Sequence, residues 1–143
     1  MRMFRVAGLL LLSLLLVGAS GRAAGDAPTS EEGETIAALG PDGVQRVEML
    51  AGSYFFKPRH VVVKVGVPVE LKVSKEAGMT PHDIVVKAPE AGVSFAVDLT
   101  AEPRTISFTP GKVGKYPIYC DKGFLFFANH REKGMEGVLE VRE

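Results

Sequence analysis

From Val44 to the C-terminus, apolar and polar positions alternate along the chain with a period of two. Val61, Val63 and Val65 alternate with Val62 and Lys64, and after Gly66-Val67-Pro68 the residues Val69, Leu71 and Val73 alternate with Glu70 and Lys72. Shorter runs follow at 83–87, 94–99, 105–108, 115–119 and 137–141. Turn-forming stretches separate them: Ala77-Gly78, Pro89 to Gly92, Pro103, and Pro110-Gly111 to Gly114. Period two places alternate side chains on opposite faces of a strand, and several short strands with regular turn signals predict an all-β sandwich or barrel. A single hairpin is marginal in water, so the strands must pack two sheets face to face, as in a Greek-key β-sandwich. No stretch downstream of residue 24 carries the period of a long amphipathic helix. There is no internal repeat and no glycine-rich phosphate loop.

The pattern changes at the N-terminus. Val6 to Val17 is an almost unbroken apolar run of Leu, Ala and Val, preceded by Arg2 and Arg5 and followed by Gly18, Ala19, Ser20, Gly21, Ala23 and Ala24. A spanning helix needs about 20 apolar residues. This run is shorter, and a basic start, an apolar middle and a small-residue end predict an export signal over 1–23, cleaved after Gly21 or Ala23. Residues 24–43 are polar and rich in glycine and proline, which predicts a flexible segment with one short helical turn near Thr35 to Leu39. The globular domain is then expected over 44–143, in an extracytoplasmic, for instance periplasmic, compartment and without a membrane span.

Loss of the leader matters for charge. The whole chain carries 17 basic and 17 acidic residues. Without Arg2, Arg5 and Arg22 the balance is 14 against 17, a formal charge of −3. Nothing resembles the basic stripe of a nucleic-acid binder or the polybasic cluster that anionic lipid requires.

Cysteine usage brings in chemistry. The single Cys120 has no intramolecular disulfide partner, so its thiol is free, paired to another chain, or bound to metal. Around it in the sequence stand His82, His130 and Met135, and the chain has only three histidines. Two imidazoles, one thiolate and one weak axial thioether form the ligand set of a mononuclear electron-transfer copper site. Soft sulfur favours Cu(I), imidazole accepts both oxidation states, and the thioether tunes more than it binds. The expected metal sites are therefore His82, Cys120, His130 and Met135, holding one Cu(I)/Cu(II) ion.

Four segments carry a family resemblance. Phe56-Lys-Pro58-Arg-His-Val61-Val-Val63-Lys-Val-Gly66 resembles the Phe-x-Pro opening of bacterial cupredoxins, and Thr80-Pro81-His82-Asp83-Ile84-Val85-Val86 resembles the strand that carries their first imidazole. Phe108-Thr109-Pro110 through Gly114, Tyr116 and Tyr119-Cys120 is similar to the family's approach to its thiolate. Met135-Glu136-Gly137-Val138-Leu139-Glu140-Val141 resembles its Met-x-Gly-x-hydrophobic ending. The resemblance covers roughly residues 53–143. It implies a plastocyanin- or azurin-like electron carrier, not an enzyme, with a redox partner such as a c-type cytochrome or a terminal oxidase.

One departure stands out: Asp121 to Asn129 places nine residues between Cys120 and His130, where plastocyanin- and azurin-like proteins have a short segment. A longer loop also resembles the copper region of cytochrome oxidase subunit II, whose dinuclear site needs a second cysteine that this chain lacks. The insert holds Phe124, Leu125, Phe126 and Phe127, which either cap the core or form a docking patch. His60 reads as a surface histidine sharing a strand face with Val62 and Lys64. Met79, three residues before His82, is a second candidate sulfur but lacks the Met-x-Gly context of Met135. Three histidines cannot supply an electron-transfer site together with a catalytic copper cluster. The alternatives to an electron carrier are a copper delivery or storage protein, or a metal-free binding module on the same fold.

Overall fold

The computed structural model describes residues 33–123 and 128–143. The export signal expected over 1–23 and the apolar residues 124–127 lie outside the described residues. Among the described residues no helix is long and apolar enough to cross a membrane.

The described chain forms eleven strands: β1 Glu34–Ile36, β2 Ala38–Leu39, β3 Gln45–Gly52, β4 Phe55–Lys57, β5 His60–Lys64, β6 Val69–Lys75, β7 Asp83–Ala88, β8 Val93–Asp98, β9 Arg104–Phe108, β10 Gly114–Tyr119 and β11 Glu136–Arg142. They make two mixed sheets, one ordered β1-β5-β11-β10-β7-β8 and the other β2-β3-β6-β9, with β4 paired to β3. The expected all-β sandwich is the observed architecture. Among the described residues the one helical element is a 3₁₀ turn, Pro89–Ala91, closed by Gly92 at φ 70°, a left-handed conformation that glycine adopts without penalty.

Alternation explains the packing. In β6, Val69, Leu71 and Val73 are at most 2% exposed while Lys72 points to solvent. They join Val61, Val63, Ile84, Val86, Ile118, Leu139 and Val141 in one core between the sheets. Each such side chain contributes about 1.5–3 kcal/mol by leaving water. β7 departs from alternation, with Ile84, Val85 and Val86 all buried. It lies inside the six-stranded sheet between β10 and β8, and an internal strand is covered on more of its surface.

Two expectations change at the N-terminal side. Residues 34–39, expected within a flexible segment with a helical turn, instead pair as strands, so the sandwich begins at Glu34 and not at Val44. β1 runs parallel to β5 in the register Glu34↔His60 and Ile36↔Val62, Ala37 N–H donates to the Val62 carbonyl at 2.9 Å, and β2 pairs with Arg46 and Gln45. The free edges of β5 and β3 offer backbone partners that an isolated helical turn cannot match. The same pairing covers Val62, which lies in register with Ile36 on one side and Glu140 on the other and is 4% exposed.

The end of the sandwich is set by a close backbone approach. A Cβ on Gly137 would run into the Arg59 carbonyl oxygen, which accepts the Val138 N–H at 2.8 Å. Only glycine lets β11 start against β5 at this point, directly after Met135.

Candidate metal centre

Four segments deliver the chemistry to one end of the sandwich. His82 immediately precedes β7, Cys120 immediately follows β10, and Met135 immediately precedes β11. His130 opens the turn His130–Gly134. Main-chain bonds join these positions: Leu99 N–H to the His82 carbonyl at 2.9 Å, Cys120 N–H to the Met135 carbonyl at 3.1 Å, and Met135 N–H to the His130 carbonyl at 2.9 Å. Rigid strands thus hold residues that themselves lie on loops.

The nine-residue insert ends in a pinch. His130 N–H donates to the Lys122 carbonyl at 2.8 Å, so His130 is bonded to a residue two positions after Cys120. Asn129 and Glu132 brace the turn that follows. Glu132 N–H donates to Asn129 Oδ1 at 2.8 Å and Asn129 N–H donates to Glu132 Oε2 at 3.0 Å. Gly134, at φ 90°, completes the turn.

His82, Cys120 and His130 converge as a result. His82 Nδ1 lies 3.2 Å from His130 Nδ1, and Cys120 Sγ lies 3.5 Å from His130 Nδ1. The three donor atoms all fall within 4.8 Å of one another, and the residues are 5%, 0% and 5% exposed. Met135 is fully buried, and its backbone is bonded to both Cys120 and His130. Met79 is 102% exposed, so it is no axial partner to this cluster. His60 lies elsewhere, on the outer face of the six-stranded sheet. It is half-buried and not a free surface residue, with Nε2 2.8 Å from Glu140 Oε2 and Nδ1 3.8 Å from Glu34 Oε1. That second grouping of donors is already engaged by Arg142, whose nitrogens lie 2.8 Å from both carboxylates.

Asp83 ties the first imidazole to the thiol. It is 8% exposed, and its Oδ1 accepts the Asp121 N–H at 2.7 Å, bridging the residue after His82 to the residue after Cys120. Sequence reasoning did not single it out. Its only signal was a carboxylate at the start of an otherwise apolar strand.

Electrostatics suits the two imidazoles and the thiol to a soft cation. Burial pushes the Cys120 thiol up to about 11, and the backbone N–H groups of Asp83 and Lys122 oppose that rise. Burial lowers His82, with His130 as a further cause. His130 is lowered by burial and by the nearby Lys133 ammonium. Neutral imidazoles are the form that binds metal, and a bound cation inverts the thiol's preference by stabilising the thiolate. Donors about 2 Å from a shared centre in a trigonal plane stand roughly 3.5 Å apart, close to the two separations observed here. The residues present fit one copper ion.

Comparison with known proteins agrees with this architecture. No family model and no curated protein matches the chain. Among solved structures it is similar to the metal-binding domain of the Cu(I)-exporting P-type ATPase CopA of Streptococcus pneumoniae D39, solved with Cu(I). That match has 21% identity and a TM-score of 0.57 and covers 77% of this chain and 96% of that one. It is similar to auracyanin of the photosynthetic bacterium Roseiflexus castenholzii at 18% identity, TM-score 0.55, over 75% and 99% of the two chains. A third likeness is to the copper-containing nitrite reductase of Thermus scotoductus, at 20% identity and TM-score 0.53, over 78% of this chain and 28% of that one. The fold is therefore cupredoxin-like, as the sequence resemblance implies.

Proposed function

We propose that this chain is an exported copper protein that binds one ion through His82, Cys120, His130 and Met135 and carries one electron at a time. The observation that carries the reading is the convergence of His82 Nδ1, His130 Nδ1 and Cys120 Sγ, all buried, from segments fixed by three different strands. Copper in such a set supplies a one-electron couple with little change of geometry. The protein's own contribution is to keep both imidazoles neutral, to aim the Asp83 and Lys122 amides at the sulfur, and to keep water from the thiolate. The natural partners are redox proteins of the same compartment, such as a c-type cytochrome or a terminal oxidase.

The deciding experiment is the absorption and EPR spectrum of the copper-loaded, oxidised protein, followed by repeated reduction and re-oxidation. An intense visible thiolate-to-copper band that cycles reversibly, and that Cys120→Ala abolishes while leaving a folded β-domain, is the expected result. A Cys120→Ala protein with the parent's band would overturn the assignment. Tight copper binding without reversible cycling would point to a delivery or storage protein.

A further inference from the structure

Unlike Met49, which is buried in the core, Met79 is a solvent-facing sulfur outside the centre. It stands three residues before His82 and is fully exposed. A single exposed apolar residue needs no explanation by itself. Its position is informative, because Met79, Thr80 and Pro81 form one wall of an open cleft of about 330 Å³ whose other side includes Tyr54, Lys133 and His130. His130 turns Nδ1 inward to His82 and Cys120, which leaves the opposite edge of its ring to the cleft. The cleft therefore joins an exposed thioether to the outer edge of a buried candidate ligand.

Both walls are built. On the methionine side, Lys75 Nζ donates to the Gly78 carbonyl at 2.6 Å, and Glu76 N–H donates to the Ala51 carbonyl at 2.8 Å, so the turn that presents Met79 is pinned. On the opposite side the Lys133 ammonium donates to the Tyr54 hydroxyl at 3.1 Å and lies 4.7 Å from the ring centroid. The Tyr54 ring meets the His130 ring edge-on at 5.2 Å. Tyr54 holds a left-handed φ of 66°, which costs a non-glycine residue about 1 kcal/mol and marks a position that the surroundings enforce. The Lys133 ammonium stays on the tyrosine wall, the Lys75 ammonium is tied back to the Gly78 carbonyl, and the Met79, Thr80 and Pro81 side chains that line the cleft are uncharged.

We propose that Met79 is a capture ligand for Cu(I): it takes the cuprous ion at the mouth of the cleft and passes it along the His130 edge to the inner donors. The inference rests on the copper reading of the inner site. A thioether is soft, uncharged and weakly held, which suits it to select Cu(I) and to release it again. Three residues span at most about 10 Å, so Met79 can never lie far from the His82 that terminates the path. The transfer is a ligand exchange. Copper remains Cu(I), no electron moves, and the one proton lost is that of the Cys120 thiol as it becomes thiolate.

Loading kinetics test this. Cu(I) is presented anaerobically as its coloured bicinchoninate complex, and uptake is read as loss of that colour. Met79→Leu should load about tenfold more slowly, ~1.4 kcal/mol at the barrier, with an unchanged equilibrium affinity and an unchanged visible spectrum after oxidation. Uptake of Cu(II) should be equally fast in both proteins. A Met79→Leu protein that takes up Cu(I) as fast as the parent overturns the proposal while leaving the copper reading intact, whereas a parent that takes up no copper overturns the copper reading itself. A second measurement uses Ag(I) as a diamagnetic soft probe in Cys120→Ala. The Met79 methyl resonance should shift on titration, and a response confined to the Met135 methyl would refute capture at Met79.

Discussion

Asp83 is the residue whose removal separates the scaffold's needs from the metal's. Its Oδ1 accepts the Asp121 N–H at 2.7 Å in a nearly buried setting. A hydrogen bond to a charged group contributes about 1.5–3 kcal/mol, and Asp83→Ala also leaves that amide without its partner. A loss of about 2 kcal/mol is expected, which for a domain of this size is a fall of roughly 8 °C in Tm. Asp83→Asn keeps an acceptor oxygen in place and should recover most of that loss. The two variants differ in a second readout. The Asp83 carboxylate adds to the burial that holds the Cys120 thiol near 11, so Asp83→Asn should bring the thiol down, though burial, the larger cause, keeps it above the usual thiol range. Urea unfolding measures the first effect, and thiolate absorbance against pH in the metal-free protein measures the second. Asp83→Ala with the parent's unfolding midpoint would refute the bridging role. An Asp83→Asn protein whose thiol titrates higher than the parent's would refute the electrostatic one.

Gly137→Ala should cost about 1–3 kcal/mol through overpacking against the Arg59 carbonyl and should disturb the visible band, because β11 starts directly after Met135. Gly66, at φ 71° with open space around its α-carbon, should lose about 1–2 kcal/mol on substitution by Ala with no spectral change, so equal spectral effects in the two variants would count against the close-approach argument. Glu140 is held at about 2, down from an ordinary 4.5, chiefly by Arg142 and then by His60 and Lys115. Its contribution to stability is therefore complete above pH 4.5 and lost as pH falls toward 2. Glu140→Gln should be less stable than the parent at neutral pH and converge with it near pH 2 in denaturant titrations, and a constant gap across that window would refute the ion-pair account. Saturation with copper should raise Tm by the linkage relation, about 2.7 kcal/mol at a hundredfold excess over Kd, and Cys120→Ala should lose most of that gain in calorimetry.

Period-two alternation made β5, β6 and β11 legible in the sequence, since their inward residues face one core while the outward ones, Val62 under β1 apart, stay at least partly exposed. It was blind to β1 and β2. Residues 34–39 carry no alternation because they lie at sheet edges, with Ile36 and Leu39 more than half exposed, and their pairing is decided by backbone partners 24 or more residues away in β5 for β1 and by the neighbouring β3 for β2. Edge strands are specified by the strands they dock on more than by their own side chains. The strand β7 was expected as one of the short runs, and its lack of alternation, with Ile84, Val85 and Val86 all buried, follows from its interior place between β10 and β8.

The donor types were legible from composition and order, while their convergence was not. Nine residues separate Cys120 from His130, where plastocyanin- and azurin-like proteins have a short segment. Closing a loop of several more residues costs only a fraction of a kcal/mol, as the entropy grows with the logarithm of length. One backbone bond from His130 to Lys122 and the reciprocal Asn129–Glu132 pair are together enough to offset it, at about 1 kcal/mol each. The insert therefore lengthens the chain without lengthening the path between the donors. Asn129→Ala tests that reasoning: it removes the acceptor for Glu132 N–H and should weaken copper binding while leaving unfolding in the metal-free state nearly unchanged, because the turn is exposed and outside the core. Should affinity survive and metal-free stability fall instead, the brace belongs to the fold and not to the centre.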